Sequence, residues 1–137
     1  MLGKDKYRAL RVESKTLREG LKGAHDIGER GRIVLNNMGV VAKNKRIIAE
    51  LEASNTQTPK AISRSTMIIS DCMNTIKNTL RLMGADEKCI QETVECVEKN
   101  DEMGVRYNLL KLLSARNPGM YAKKLAMFKQ AMENQRG

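Results

Sequence analysis

Aromatic residues are scarce in this chain of 137 residues, which has three tyrosines, one phenylalanine and no tryptophan. Proteins that bind single-stranded nucleic acid stack successive bases on several aromatic rings, so the composition argues against that mode of binding. The chain also lacks any run of about 18 apolar residues, and we therefore expect no membrane-spanning helix. Its first ten residues lack the apolar stretch of a secretory signal peptide.

Reactive side chains are equally few. The three cysteines, Cys72, Cys89 and Cys96, cannot all pair within one chain, and their spacing matches no zinc-binding pattern. His25 is the only histidine and lies in a glycine-rich stretch, where we expect a turn residue. We therefore predict no catalytic site, no metal and no cofactor. Unpaired thiols favour a reducing compartment, the cytoplasm or another intracellular one such as the nucleus.

Positive charge is abundant and unevenly distributed. The formal net charge is +9 and the isoelectric point is about 9.7. Residues 1–53 contain 12 basic and 7 acidic side chains, and residues 105–137 contain 7 and 1. In contrast, residues 86–104 contain 2 basic and 7 acidic side chains. A basic protein with one acidic segment suggests a polyanionic partner, self-association, or both.

Apolar residues recur at helical spacing along the chain, and no segment alternates with the two-residue period of a strand. We therefore predict an all-α protein, a compact bundle of five or six helices. The predicted organisation is a basic N-terminal helix in residues 1–24, which could project as an arm, followed by a helical bundle in residues 25–137. Together they would form a single domain.

The third predicted helix carries the longest apolar stripe. Its members are spaced 4,3,4,3,4,3: Ile62, Thr66, Ile69, Met73, Ile76, Leu80 and Met83. A helix with so few charges is expected to be central and to pack on more than one side. We expect five of these side chains to hold the subunit, or a homo-oligomer, together: Ile62, Ile69, Met73, Ile76 and Leu80.

Local signals predict where several helices begin and end. Thr58-Pro59, Asp86 and Asn117-Pro118 each match the start of a helix, because a capping side chain precedes the first turn. Gly84 is expected to end the third predicted helix, and the fourth should end near Gly104. Gly39, inside the second predicted helix, is expected to mark a close helix crossing, since glycine there otherwise costs about 1 kcal/mol relative to alanine.

One line of cations in the N-terminal segment stands out. Its members are spaced 4,3,4,3,4: Lys4, Arg8, Arg11, Lys15, Arg18 and Lys22. On a helix they would occupy an arc of about 80° and a length of about 27 Å. Such a line can contact the phosphates of a duplex without reading its bases. Lys123, Lys124 and Lys129, in the C-terminal basic segment, are expected to extend this surface.

Three interpretations of this basic line remain open. A basic helical face is most often simply solvated; it can also bind nucleic acid, or an acidic protein or anionic membrane. We favour backbone-directed binding of a duplex, of RNA rather than DNA, as in a small viral or phage nucleoprotein or an RNA-sequestering factor. The alternative is a helical adaptor or matrix-like protein whose basic face binds an acidic partner or a membrane.

Two further patterns have weaker implications. The segment 27–34 (IGERGRIV) resembles the GxxG loop of KH domains, but such a domain also needs three strands, and we predict none. We therefore interpret the segment as a turn between two helices. Glu95, Glu98 and Glu102 share one helical side, where we expect them to pair with a basic face of the chain or of a neighbouring subunit.

Overall fold

The structure is a computed structural model, and it describes residues 27–54 and 59–136, without the side chain of Arg136. These residues form five α-helices and no strand, which confirms the predicted all-α helical bundle. The helices are α1 (Gly28–Ala53), α2 (Pro59–Leu82), α3 (Glu87–Glu98), α4 (Glu102–Arg116) and α5 (Pro118–Arg136). None of these helices has the length and hydropathy needed to cross a membrane. The predicted N-terminal helix and His25 lie outside the described residues.

The chain divides into two compact units, and the boundary falls inside α4. The first unit, Gly28–Val105, contains α1, α2, α3 and the first turn of α4. The described part of the second unit consists of Ile27 and residues 106–136.

The first unit is built on an α-helical hairpin. α1 and α2 are joined by a short connection, and they pack closely along their length. At the end far from that connection, the Arg30 guanidinium donates a hydrogen bond of 3.3 Å to the Leu82 carbonyl. α1 buries one stripe toward α2, formed by Gly31, Val34, Met38, Val41 and Asn44. The hairpin is therefore held by a continuous contact in which α1 supplies mostly apolar side chains.

The register of α2 differs from the one expected. Its buried side chains are Ser65, Cys72, Ile76, Thr79 and Leu80. Ile76 and Leu80 are fully buried, so they hold the subunit together and leave no surface for a second copy. Thr66 is exposed, and Ile62, Ile69 and Met73 are half-buried. The polar Ser65 and Thr79 take core positions instead, and the Thr79 hydroxyl donates a 2.7 Å hydrogen bond to the Thr75 carbonyl.

The glycines of α1 have other roles than those expected. Gly28 has a positive φ of 72° and is the first residue of the helix, while Gly31 is buried inside it. The interpretation of residues 27–34 as an interhelical turn was therefore wrong. Gly39 is exposed, and a Cβ atom built on it would have no neighbour within 4 Å. It does not mark a helix crossing.

α3 packs against both helices of the hairpin. The Asp86 carboxylate caps its first turn by accepting a 2.8 Å hydrogen bond from the Cys89 amide, as predicted. Gly84, with φ of 91°, ends the preceding segment in the left-handed conformation, also as predicted. At the other end of α3, the Lys45 ammonium donates a 3.1 Å hydrogen bond to the Glu98 carbonyl.

The junction between α3 and α4 lies earlier than expected. α3 ends at Glu98, and Asn100 adopts a positive φ of 55°. The Asp101 carboxylate then accepts a 3.0 Å hydrogen bond from the Gly104 amide, so Gly104 lies within the first turn of α4 instead of ending a helix. A Cβ atom at Gly104 would lie 2.6 Å from Asp101 Oδ2 and 2.7 Å from Cys96 Sγ, so a larger residue there would force those side chains to shift.

The second unit contains the rest of α4 and α5. Asn117 caps the start of α5, as predicted, because its side-chain oxygen accepts a 3.3 Å hydrogen bond from the Met120 amide. The apolar side chains of this unit are well buried: Leu109, Leu110, Tyr121, Phe128 and Ala131. These positions fix which side of α5 is turned to solvent.

Candidate nucleic-acid interface

The N-terminal line of cations lies outside the described residues. It comprises Lys4, Arg8, Arg11, Lys15, Arg18 and Lys22. The described part of the predicted surface is therefore the C-terminal set on α5.

The three lysines of α5 do not form one line. Lys123 and Lys129 are exposed and lie about 120° apart around the helix axis, one on each side of the solvent-facing strip that contains Ala126. Lys124 is half-buried, and its ammonium lies 5.4 Å from the centre of the Tyr121 ring. Lys123 and Lys129 are thus available to a large anionic surface that lies flat against α5.

A second lysine stacks on a tyrosine in the same way. The Lys111 ammonium lies 5.0 Å from the centre of the Tyr107 ring on α4. Tyr121 and Phe128 are buried and Tyr107 is half-buried, so these rings are not exposed platforms for bases. A cation over an aromatic ring keeps its charge, so Lys111 and Lys124 still contribute to the positive charge of the second unit.

Within the described residues, no carboxylate neutralises the exposed cations of the second unit. Arg116, Lys123 and Lys129 form no ion pair with the residues that the structure describes. Glu133 is the one acidic residue among positions 106–136. In the described ranges the ion pair found is the exposed Arg81–Glu87 contact of 3.7 Å, which lies in the first unit. The described part of the second unit therefore exposes an excess of positive charge to solvent.

The first unit carries a further basic side that sequence reasoning missed. Arg32, Lys43 and Arg46 are all exposed and lie within about 60° of one another on the side of α1 away from α2. They span about 21 Å along the helix. The spacing of 11 and 3 residues places them on one side, but it becomes informative only once the buried stripe of α1 is known.

Of the three acidic residues expected on one helical side, Glu95 and Glu98 lie on α3, whereas Glu102 begins α4. Glu95 accepts a 3.5 Å hydrogen bond from the Gln91 amide group, and the Glu98 side chain forms no ion pair with a described residue. Their pairing with a basic face of a neighbouring subunit stays a prediction.

The cysteines give no sign of a reactive or metal-binding centre. All three thiols are free; Cys72 is buried, and Cys89 and Cys96 are half-buried. Burial raises the pKa of the Cys72 and Cys96 thiols above the ordinary value of 9.0, and nearby carboxylates, Asp71 and Asp101 respectively, raise it further. Both thiols are thus kept protonated at neutral pH. Residues 27–54 and 59–136 contain no group of side chains suited to hold a metal ion.

No protein-family model, curated protein or solved structure matches this chain. The case for a function therefore depends on the chain's own geometry and charge.

Proposed function

We propose that this chain binds the phosphate backbone of a duplex nucleic acid, RNA rather than DNA, without reading its sequence. One observation carries the proposal: residues 106–136 contain seven cations and one acid, and the exposed cations among them form no ion pair in the described structure. A cluster of unneutralised cations attracts a polyanion and releases its counterions on binding.

The geometry favours a duplex over a single strand. Lys123 and Lys129 are separated by about 9 Å along α5 and lie on opposite sides of the solvent-facing strip that contains Ala126 and the single acid Glu133. A broad, regularly charged surface such as a duplex can reach both at once, whereas a single strand would need exposed aromatic rings for affinity. The N-terminal cations from Lys4 to Lys22 would add further contacts, and self-association would multiply them.

The test is fluorescence anisotropy with labelled duplex RNA, duplex DNA and single-stranded RNA at about 50 to 200 mM salt. The wild-type chain should bind duplex RNA with an affinity that falls steeply as salt rises. The Lys123→Glu/Lys129→Glu variant removes two phosphate contacts. We expect its affinity to fall at least tenfold, and the slope of log affinity against log salt to become shallower by about 2.

The chain offers a matched control for that variant. Lys88→Glu/Lys99→Glu makes the same change in net charge at two exposed lysines of the acidic segment. We expect this control to change the logarithm of the affinity for duplex RNA by less than half as much as Lys123→Glu/Lys129→Glu does. Equal losses in both variants, or binding by the wild-type chain that does not depend on salt, would contradict the proposal.

The alternative partners are separate outcomes of the same measurement. Vesicles that contain phosphatidylserine replace the duplex in one arm, and a polyglutamate peptide replaces it in another. Stronger binding to either than to duplex RNA would favour the matrix-like or adaptor function and would overturn the nucleic-acid proposal.

A further inference from the structure

One long side of the α1–α2 hairpin is left open by the rest of the first unit. Leu80 and Leu82 point to opposite sides of α2, and they are 0% and 60% exposed. On α1, Met38 is 3% exposed and Val40 is 39% exposed. α3 packs on the hairpin, and the side chains on one long side are buried, while those on the other are exposed or, at Ile47 and Ile68, half-buried.

The open side carries two rows with the same seven-residue spacing, in which every member is apolar except the exposed Thr75. We call it the open face and define it by Ile33, Val40 and Ile47 of α1 and Ile68, Thr75 and Leu82 of α2. Because the helices are antiparallel, the residues of one row lie at the same levels along the hairpin as those of the other row, in reverse order. Ile33 is near the level of Leu82, and Ile47 is near the level of Ile68. A seven-residue spacing keeps each row on one side of its helix and supplies one of the two positions per heptad that a helix–helix seam uses.

Charged and amide side chains border both rows. On α1 the border residues are Asn36, Lys43 and Glu50; on α2 they are Arg64, Asp71 and Asn78. All four charged members are exposed and form no ion pair within the described chain. Arg64, Ile68 and Asp71 also line a shallow depression of about 360 Å³ on α2.

The order of these border residues is complementary to itself. Along the hairpin, Lys43 lies near the level of Asp71, and Glu50 near the level of Arg64. Within one hairpin, the two side chains of each pair point away from one another. If a second copy is rotated by 180° about an axis parallel to the helices, its α2 lies over α1 at the same levels. Lys43 then meets Asp71 of the second copy, and Glu50 meets Arg64 of the second copy.

We propose that the open face binds the open face of a second copy of this chain, in a two-fold four-helix arrangement with α1 of each copy against α2 of the other. The two apolar rows supply the buried surface, and the Lys43–Asp71 and Glu50–Arg64 pairs set the register. The face extends over about 21 Å in length and about 20 Å in width, or about 400 Å² per copy. That is about half the area of a standard stable interface, so the dimer is weak and reversible.

Two charge reversals test both the surface and the register. Lys43→Asp places a second carboxylate against Asp71 in both halves of a homodimer, and Asp71→Lys places two lysines together in the same way. Each variant alone should dimerise at least tenfold more weakly than the wild-type chain. In a mixture of the two variants, however, both contacts become attractive. The heterodimer should therefore exceed its statistical proportion in native mass spectrometry, and sedimentation should recover the wild-type affinity.

Controls separate this proposal from a general effect of charge or of misfolding. Lys88→Asp and Glu92→Lys make the same charge changes at exposed sites of α3 and should leave dimerisation unchanged. Val40→Asp places a charge inside the open face and should abolish the dimer while the helical circular dichroism is kept. A wild-type chain that stays monomeric up to about 1 mM, or a mixture with only the statistical proportion of heterodimer, would overturn the proposal.

The measurement is independent of nucleic-acid binding. It is made without nucleic acid, and Lys123→Glu/Lys129→Glu should leave the dimer intact because both lysines lie in the second unit. A chain that dimerises through the open face but does not bind duplex RNA would contradict only the proposed function. A monomer that binds duplex RNA would contradict only the dimer.

Discussion

The two long sides of the α1–α2 hairpin are made from the same kinds of residue but differ in burial. On the side covered within the subunit, Met38 and Leu80 are almost completely buried. Val40 lies two residues after Met38, and Leu82 two residues after Leu80. Both are on the open face, where they are 39% and 60% exposed. The difference teaches that hydrophobicity alone does not assign a residue to the core. What decides is the side on which the next helix packs.

The sharpest way to test this comparison is to remove the same atoms from both sides. Leu80→Ala creates a cavity in the core and should lower the free energy of unfolding by about 3 kcal/mol, within the usual range of about 2 to 5. Leu82→Ala removes a side chain that is already largely in water, so the loss should stay below about 1 kcal/mol. Urea denaturation followed by circular dichroism measures both differences.

Protein concentration is the control for that pair. The measurements are made at dilution, where the weak dimer does not form, and Leu82→Ala is then repeated at high concentration. A loss from Leu82→Ala that equals the loss from Leu80→Ala at dilution would mean that the open face is covered within the chain.

Most of the fold could be predicted from the sequence because its signals are local. Asp86, Asn117 and Gly84 cap or end helices through contacts with residues three or four positions away, and all three were predicted correctly. The register of α2 could not be predicted, because two neighbouring stripes of that helix are almost equally free of charge. The true core stripe includes Ser65 and Thr79, whose polarity conceals their burial.

The glycines show the same limit. Gly39 and Gly104 each interrupt an apolar helical pattern, and the sequence predicted a close contact at the first and a helix end at the second. The structure shows open space at Gly39 and a close contact at Gly104. Helical spacing reveals neither outcome: at Gly39 no other element packs on the glycine, and at Gly104 the close atoms belong to Cys96 of α3 and to Asp101 just before α4. The prediction of the candidate interface has the same limit. The distribution of charge in the sequence identified Lys123 and Lys129, but their exposure to solvent depends on which side of α5 is buried.

Gly104→Ala tests the close contact. The added methyl group meets Asp101 Oδ2 and Cys96 Sγ, and overpacking of this kind typically costs about 1 to 3 kcal/mol. Alanine favours the helix by up to about 1 kcal/mol, so we expect a net loss of about 1 kcal/mol in the free energy of unfolding. Cys96→Ala removes one of the two obstructing atoms. In a double-mutant cycle, Gly104→Ala should therefore cost less in the Cys96→Ala background; equal costs would contradict the contact.

Gly39→Ala is the smallest change and has the opposite sign. Gly39 is exposed in the interior of α1, and a Cβ atom there meets nothing within 4 Å, so alanine adds helix propensity without strain. We expect a gain of about 0.5 to 1 kcal/mol, which should raise the melting temperature by about 2 to 5 °C. Gly39 lies on neither the covered side nor the open face, so the gain should not depend on protein concentration. A loss of stability instead would mean that another segment or another copy packs on the outer side of α1, which would make the open face only part of a larger covered surface.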